Sequence, residues 1–254
     1  MRVTTRRLRA VLRIFHSLMD AQWVSELESE LRWVAHLLGQ VRDLDVLRER
    51  LRKAADPDDR KILGQLQRLL SARHRDAQAA MKEGLKSKRY TELIERLRIG
   101  ALAPEMALEA SEPPTDILLP MLARSRKKLV RAGSKLQPND EPIEYHRVRK
   151  MAKHVRYATE ALVPNLTVSD STETHQFIKR LKKLQDTLGE HQDAIVAAKT
   201  VEIILDAKPH FYPMSAIAHP FFTAAKRLIA SQEEAAKKAR KKFPKIWEKV
   251  ADSG

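Results

Sequence analysis

The stretch LRWVAHLLGQVRD (residues 31–43) has a counterpart far downstream in LKKLQDTLGEHQD (residues 181–193). Leu31, Arg32, Leu38, Gly39 and Asp43 fall on Leu181, Lys182, Leu188, Gly189 and Asp193, an offset of 150 residues. A second pair lies upstream of these two. RVTTRRLR (2–9) aligns with RKMAKHVR (149–156) at an offset of 147, so that Arg2, Arg6 and Arg9 match Arg149, Lys153 and Arg156. Two segments in the same order, with offsets differing by only three residues of loop, are not what chance placement of leucines produces. The chain reads as an internal duplication.

Both copies are helical in character. With only 7 glycines, 5% aromatics and an abundance of Leu, Ala, Arg, Lys, Glu and Gln, the chain favours helix nearly everywhere, because these side chains lose little rotamer freedom there. No convincing strand is present, and the fold class is all-α. Breaks are expected at DPDD (56–59), APEMALEASEPPT (103–115), GSKLQPNDEP (133–142), VPNLTVSDS (163–171) and AKPHFYPMSAIAHP (207–220). In the first helix Leu8, Val11, Leu12, Phe15 and Leu18 form a buried stripe. Asp20 is placed to cap the next, which turns Leu27, Leu31, Val34, Leu38 and Val41 inward. Helices of roughly 25 to 35 residues are about 40 to 50 Å long and must pack lengthwise as a bundle.

Charge narrows the partners. Of 254 residues, 48 are Lys or Arg against 33 Asp or Glu, a net charge of +15 that favours polyanions such as nucleic acid, anionic lipid or phosphate polymers. The chain has no cysteine, hence no disulfide or thiolate metal site, which fits a reducing cytoplasm. No apolar run approaches the ~20 residues of a membrane span, and no signal peptide precedes the first arginines, so a soluble intracellular protein is expected.

The duplication picks out which cations matter. Spacing i, i+4, i+7 sets Arg2, Arg6 and Arg9 on one side of their helix, with Arg13 continuing the row. Arg149, Lys153 and Arg156 repeat it, His146 extends it backwards, and Arg124, Lys128 and Arg131 form a third row. Like charges at i, i+4 cost a few tenths of a kcal/mol per pair, so such rows oppose helix stability unless an anion offsets the repulsion. A solvated face is the reading for KKARKKFPK (237–245), and a shared anion site the reading for the two duplicated rows.

The four ordered motifs RVTTRRLRAVLRIF, LGQVRDLDVLRERL, EYHRVRKMAKHVRYATEAL and LKKLQDTLGEHQDAI resemble the CHAD family over essentially the whole chain. The resemblance implies one domain over 1–254, made of two pseudo-twofold-related helical bundles (1–110 and 115–254) flanking a basic central pore or groove. It also implies non-catalytic binding of inorganic polyphosphate, no cofactor, and a cytoplasmic location at polyphosphate granules. Carried over by motif position, the ligand-facing residues are Arg2, Arg6, Arg9 and Arg13, then His146, Arg149, Lys153 and Arg156. Arg32, Lys182 and the row Arg124, Lys128, Arg131 are weaker candidates. The family's first motif begins with a histidine three residues before the arginine, whereas Arg2 has only Met1 before it. The first half is therefore expected to lack both a partner for His146 and the helix matching 116–132, through truncation or through closure of the remaining helices.

Polyphosphate offers no base edges and no apolar surface, so its binding rests on charge-assisted hydrogen bonds and counterion release, for which the planar fork of Arg is suited. His146 serves as a tuner, cationic only near or below its pKa. Asp43 and Asp193 are read as carboxylates that hold arginines in place, and Gly39 and Gly189 as openings for close approach of another helix. Enzyme readings find little: no histidine has Glu three residues before it, neither HExxH nor a Walker loop occurs, and ELESE (26–30) lacks the lysine of an ExExK motif. Nucleic acid is the competing partner. Single-strand binders, however, offer aromatic platforms, and the 13 aromatics here sit mostly in apolar contexts, Phe15, Trp23 and Trp33 among them. The terminal helix with Phe243, Ile246 and Trp247 is expected to dock on the bundle.

Overall fold

The computed structural model describes residues 1–107, 114–162, 168–206 and 220–252; for Arg2, 114–118, Leu162 and 168–171 it describes the backbone alone. The expected breaks at 108–113, 163–167 and 207–219 lie outside the described residues. Among those described, the chain forms α-helices, two short 3₁₀ turns and no strand, with one isolated bridge between Met19 and Met106.

Helix α1 (Arg2–Ile14) ends at Phe15, and a single turn at His16–Leu18 leads to Asp20. The Asp20 carboxylate accepts the Trp23 amide at 2.7 Å and starts α2 (Ala21–Ala54), the capping role read from the sequence. In DPDD, Pro57–Asp59 forms the second 3₁₀ turn, and Asp56 accepts the Asp58 amide. The next helical stretch is divided where no Gly or Pro marks a break. Ser87 adopts an extended conformation (ψ 153°) between α3 (Gly64–Lys86) and α4 (Lys88–Leu102), and its hydroxyl accepts the Tyr90 amide. The second half follows as α5 (Pro114–Gly133), α6 (Pro142–Leu162), α7 (Val168–Asp206) and α8 (Pro220–Ala251). Residues 168–171, expected in a break, already belong to α7.

Apolar stripes decide the packing. Leu12 of α1 meets Val24, Leu27, Leu31 and Val34 of α2 and Leu93 of α4 in one core; Trp23 and Trp33 pack half-buried against it. A second core joins Leu129 of α5, Val148 and Val155 of α6, Leu181 and Leu184 of α7, and Phe243 and Trp247 of α8, which docks the terminal helix as expected. A third draws on both halves: Leu51 of α2 and Leu70 of α3 close against Val201 of α7 and Phe221 of α8. Between these cores α1 packs on α6, and α2 touches α7. No helix among the described residues is long and apolar enough to cross a membrane.

Leu51 is 0% exposed in the core that joins the halves. Leu51→Ala should lower the unfolding free energy by about 3 kcal/mol, through lost transfer energy and a residual cavity. Urea denaturation followed by circular dichroism measures this, and a loss under about 1 kcal/mol would show that the joint core is not tightly packed.

Candidate anion site

Because α1 lies on α6, their charged rows meet over the middle of α2 and α7. They enclose a cavity of about 480 Å³. Arg6 enters from α1; His146, Arg149 and Lys153 enter from α6. Arg42, Asp43, Val46 and Arg50 line it from α2, and Gln192, Asp193 and Val196 from α7. Four arginines and Lys153 thus face two carboxylates. Three lining pairs, Arg42/Gln192, Asp43/Asp193 and Val46/Val196, stand 150 residues apart, the offset of the repeated motif.

The cations are poorly compensated. Burial, and then the neighbouring Arg149, Arg6 and Arg156, push the Lys153 amine down to about 8. Burial also lowers Arg149, with Asp193 opposing and Arg6 adding to the shift. The Nε groups of Arg6, Arg149 and Arg156 and Nδ1 of His146 are buried without a hydrogen-bond partner. Leaving one such group unsatisfied costs about 1–3 kcal/mol, more when it is charged. Burial first, then Lys150 and Arg149, lower the pKa of His146, while a hydrogen bond with Gln192 opposes them. An anion arriving in the cavity would raise the lowered pKa values of Lys153, Arg149 and His146.

The other sequence candidates have different surroundings. Arg13 donates its Nε–H to Glu28 at 2.6 Å and reaches the same oxygen with Nη2; Arg9 and Arg32 approach that oxygen at 3.8 and 3.9 Å. Arg156 pairs with Glu160 at 3.3 Å and lies over the Tyr157 ring. Arg124, Lys128 and Arg131 are exposed on α5, as is Lys182 on α7. Lys128 and Arg13 both lie within the field of His154. Arg2 is placed on α1 by its backbone only. In the 237–245 stretch the lysines are exposed, while Arg240 turns in to donate to Nε2 of the buried His191 at 2.9 Å.

Sequence comparison missed Arg42 and Arg50. Matching cation with cation across the repeat could not find them, since their counterparts are Gln192 and Thr200. The usable signal was position: Arg42 adjoins the repeated Asp43. Arg50 donates to Gln232 through Nε and to Glu190 through Nη2 at 2.8 Å, which anchors it at the cavity edge. The glycine reading requires correction. Nothing lies within 4 Å of a Cβ built on Gly39, and at Gly189 the near neighbour is Nη2 of Arg149 at 3.3 Å. Gly189 makes room for a guanidinium rather than for a helix. Asp193 is half-buried, and burial raises its pKa. It acts on Arg149 through its field, since Arg149 Nε has no hydrogen-bond partner; Asp43 is exposed. Among the described residues no group of three or more His, Cys, Asp or Glu is placed to hold a metal.

Comparison with known proteins gives a consistent outcome. The pattern that defines the CHAD domain matches residues 1–202. Two uncharacterized Mycobacterium tuberculosis proteins, MT2285 of strain CDC 1551 / Oshkosh and Rv2226 of strain ATCC 25618 / H37Rv, are each 30% identical over 210 residues. The match takes in 78% of this chain but only 38% of the length of these relatives. Among solved structures, PptA from Streptomyces chartreusis superposes with a TM-score of 0.78 at 23% identity, a likeness of fold covering 97% of this chain and 87% of that one. The CHAD domain from the plant Ricinus communis superposes with a TM-score of 0.65 at 26% identity, covering 95% and 80%.

The depressed Lys153 amine fixes a pH dependence. With a native pKa of about 8 against the ordinary 10.5, the unfolded chain holds more protons between these values, so stability rises with pH across that window. Below pH 8 the penalty is fully present. Lys153→Gln should therefore stabilise the empty protein at pH 7, by about 1–2 kcal/mol after solvent screening, and the gain should fade as pH approaches 10.5. Urea titrations at pH 7 and pH 10 measure it; destabilisation at pH 7 would mean that Lys153 is held by a partner.

Proposed function

The chain belongs to the CHAD domain family, and from that premise we propose that it binds inorganic polyphosphate, without catalysis, in a basic groove between two pseudo-twofold-related halves. One observation carries the reading: guanidinium N–H groups of Arg6 and Arg149 are buried without a partner where the facing rows enclose a cavity. Burying permanent charge is costly unless it is paired. A ligand that supplies one negative charge per unit and nothing but acceptor oxygens offsets that cost along the whole row. Pairing of equivalent elements supports the twofold arrangement. Helix α1 packs on its counterpart α6 and α2 on α7, while Leu31 and Leu181, Val34 and Leu184, and Leu93 and Phe243, each 150 residues apart, are all buried.

The cations of the cavity can grip phosphoryl oxygens through charge-assisted hydrogen bonds. A ligand engaging roughly seven phosphates gives a log–log salt slope of about −5, or ~10³ in affinity between 50 and 200 mM salt. The cellular setting we assign is the cytoplasm, at polyphosphate granules. Nucleic acid is the rival ligand that the test must exclude, because phosphate contacts alone do not distinguish the two.

The test is retention of labelled long-chain polyphosphate at fixed salt, challenged with RNA, DNA and monophosphate. Wild-type protein should hold polyphosphate against an equal phosphate concentration of nucleic acid. Replacing Arg6, Arg42, Arg149 and Lys153 together with Gln should preserve the helices, since Gln has a similar helix propensity, and should flatten the salt slope by about 3. Replacing Lys237, Lys238, Lys241 and Lys242 with Gln removes the same formal charge and should cost much less. Equal losses in the two variants, or equal displacement by RNA, would leave only generic attraction of polyanions.

A further inference from the structure

Three cations of the first half converge on one carboxylate. Glu28, on α2 and only 17% exposed, accepts from Arg13 and draws Arg9 and Arg32 to within 3.8 and 3.9 Å of the same oxygen. Arg13 also lies within reach of His154, whose other cationic neighbour is Lys128 of α5. A second cationic cluster therefore sits about 10 Å along α1 from Arg6, beyond the cavity, at 1.5 Å per residue. Glu28 is the acid within it. The position 150 residues later is Ile178, and Arg156, which matches Arg9 in the second half, pairs instead with Glu160 on its own helix.

We propose that Glu28 is a built-in anion that occupies the outer cluster in the empty protein and yields it only to a phosphate chain long enough to reach there from the cavity, so that it tempers long-chain affinity and leaves that of short anions unchanged. This rests on the polyphosphate reading above. A carboxylate fixed on α2 competes for Arg13 intramolecularly, at an effective concentration that a free short anion does not match. A chain already anchored on Arg6 and Arg149 presents its following phosphates to Arg9 and Arg13 at a comparable effective concentration. Such a chain displaces Glu28 and gains contacts beyond the cavity. Pyrophosphate, too short to reach from one cluster to the other, fills the cavity and leaves Glu28 in place.

Glu28→Gln separates these cases, with Glu92→Gln as a charge-matched control on α4, where the exposed Glu92 pairs with Lys88. In Glu28→Gln the dissociation constant for polyphosphate of about a hundred units should fall roughly fivefold or more and its salt slope steepen by about 2, for three freed cations. Pyrophosphate affinity should stay within about twofold, and Glu92→Gln should stay within about twofold for both ligands. An equal gain for pyrophosphate, an equal gain in Glu92→Gln, or unchanged long-chain binding would overturn the proposal. A melting arm is independent of polyphosphate. Without Glu28 the three arginines repel one another, so the melting temperature should drop, and added sulfate should restore more of it than it adds to the wild type. An unchanged melting temperature would show that Glu28 does not neutralise the cluster. A wild-type protein that retains no polyphosphate refutes the proposed function instead, and the melting arm distinguishes that failure from one of Glu28 alone.

Discussion

Arg6, Arg149 and Lys153 are held together at the seam of α1 and α6 with too little negative charge around them. Left to themselves these side chains would swing into solvent and separate. They stay because the helices beneath them are fixed by three apolar cores, one of which closes α2 and α3 against α7 and α8. Gly189 contributes at one point, where the absence of a Cβ lets the Arg149 guanidinium lie against α7. The cores supply the stability that the uncompensated cations spend. Such preorganisation is what a polyanion site requires, since donors already desolvated and aimed need no rearrangement on binding.

The rest of the charge is handled differently, which gives the cavity its contrast. In ELESE each glutamate serves a different arginine: Glu26 accepts from Arg96 at 2.6 Å, Glu28 from Arg13, and Glu30 from Arg89 at 2.6 Å. The i, i+2 spacing turns the three carboxylates to different neighbours rather than to one ligand. Elsewhere Asp59, buried, is bound by Arg227, and Glu190 by Arg50. These pairs contrast with the cavity, where Arg6 and Arg149 keep buried Nε groups without a partner.

Much of this was legible in the sequence, and the misses have physical causes. Matching the similar segments singled out helices that meet: Leu31 and Leu181 are both buried, and Arg6 and Lys153 share one cavity. The capping carboxylate of Asp20 was equally plain. The break at Ser87 was not, since a lone serine cap within a helix-favouring run carries little signal. Nor could spacing reveal which arginines are already paired. Arg13 lies on the same row as Arg6, yet it donates to Glu28 of another helix, a contact that no periodicity encodes. Arg42 and Arg50 escaped for the converse reason: the positions 150 residues later are Gln192 and Thr200, so matching cation with cation passes over them.

The central claim is that unanswered donors at the α1–α6 seam hold a tetrahedral oxyanion. Anomalous diffraction from crystals soaked in selenate tests it directly, because selenate presents phosphate-like oxygens and a scatterer that can be located without ambiguity. The account predicts a peak between Arg6, Arg149 and Lys153, with oxygens within hydrogen-bond distance of the Arg6 and Arg149 guanidinium groups. Peaks confined to the exposed lysines of 237–245, with the cavity empty at saturating selenate, would contradict it.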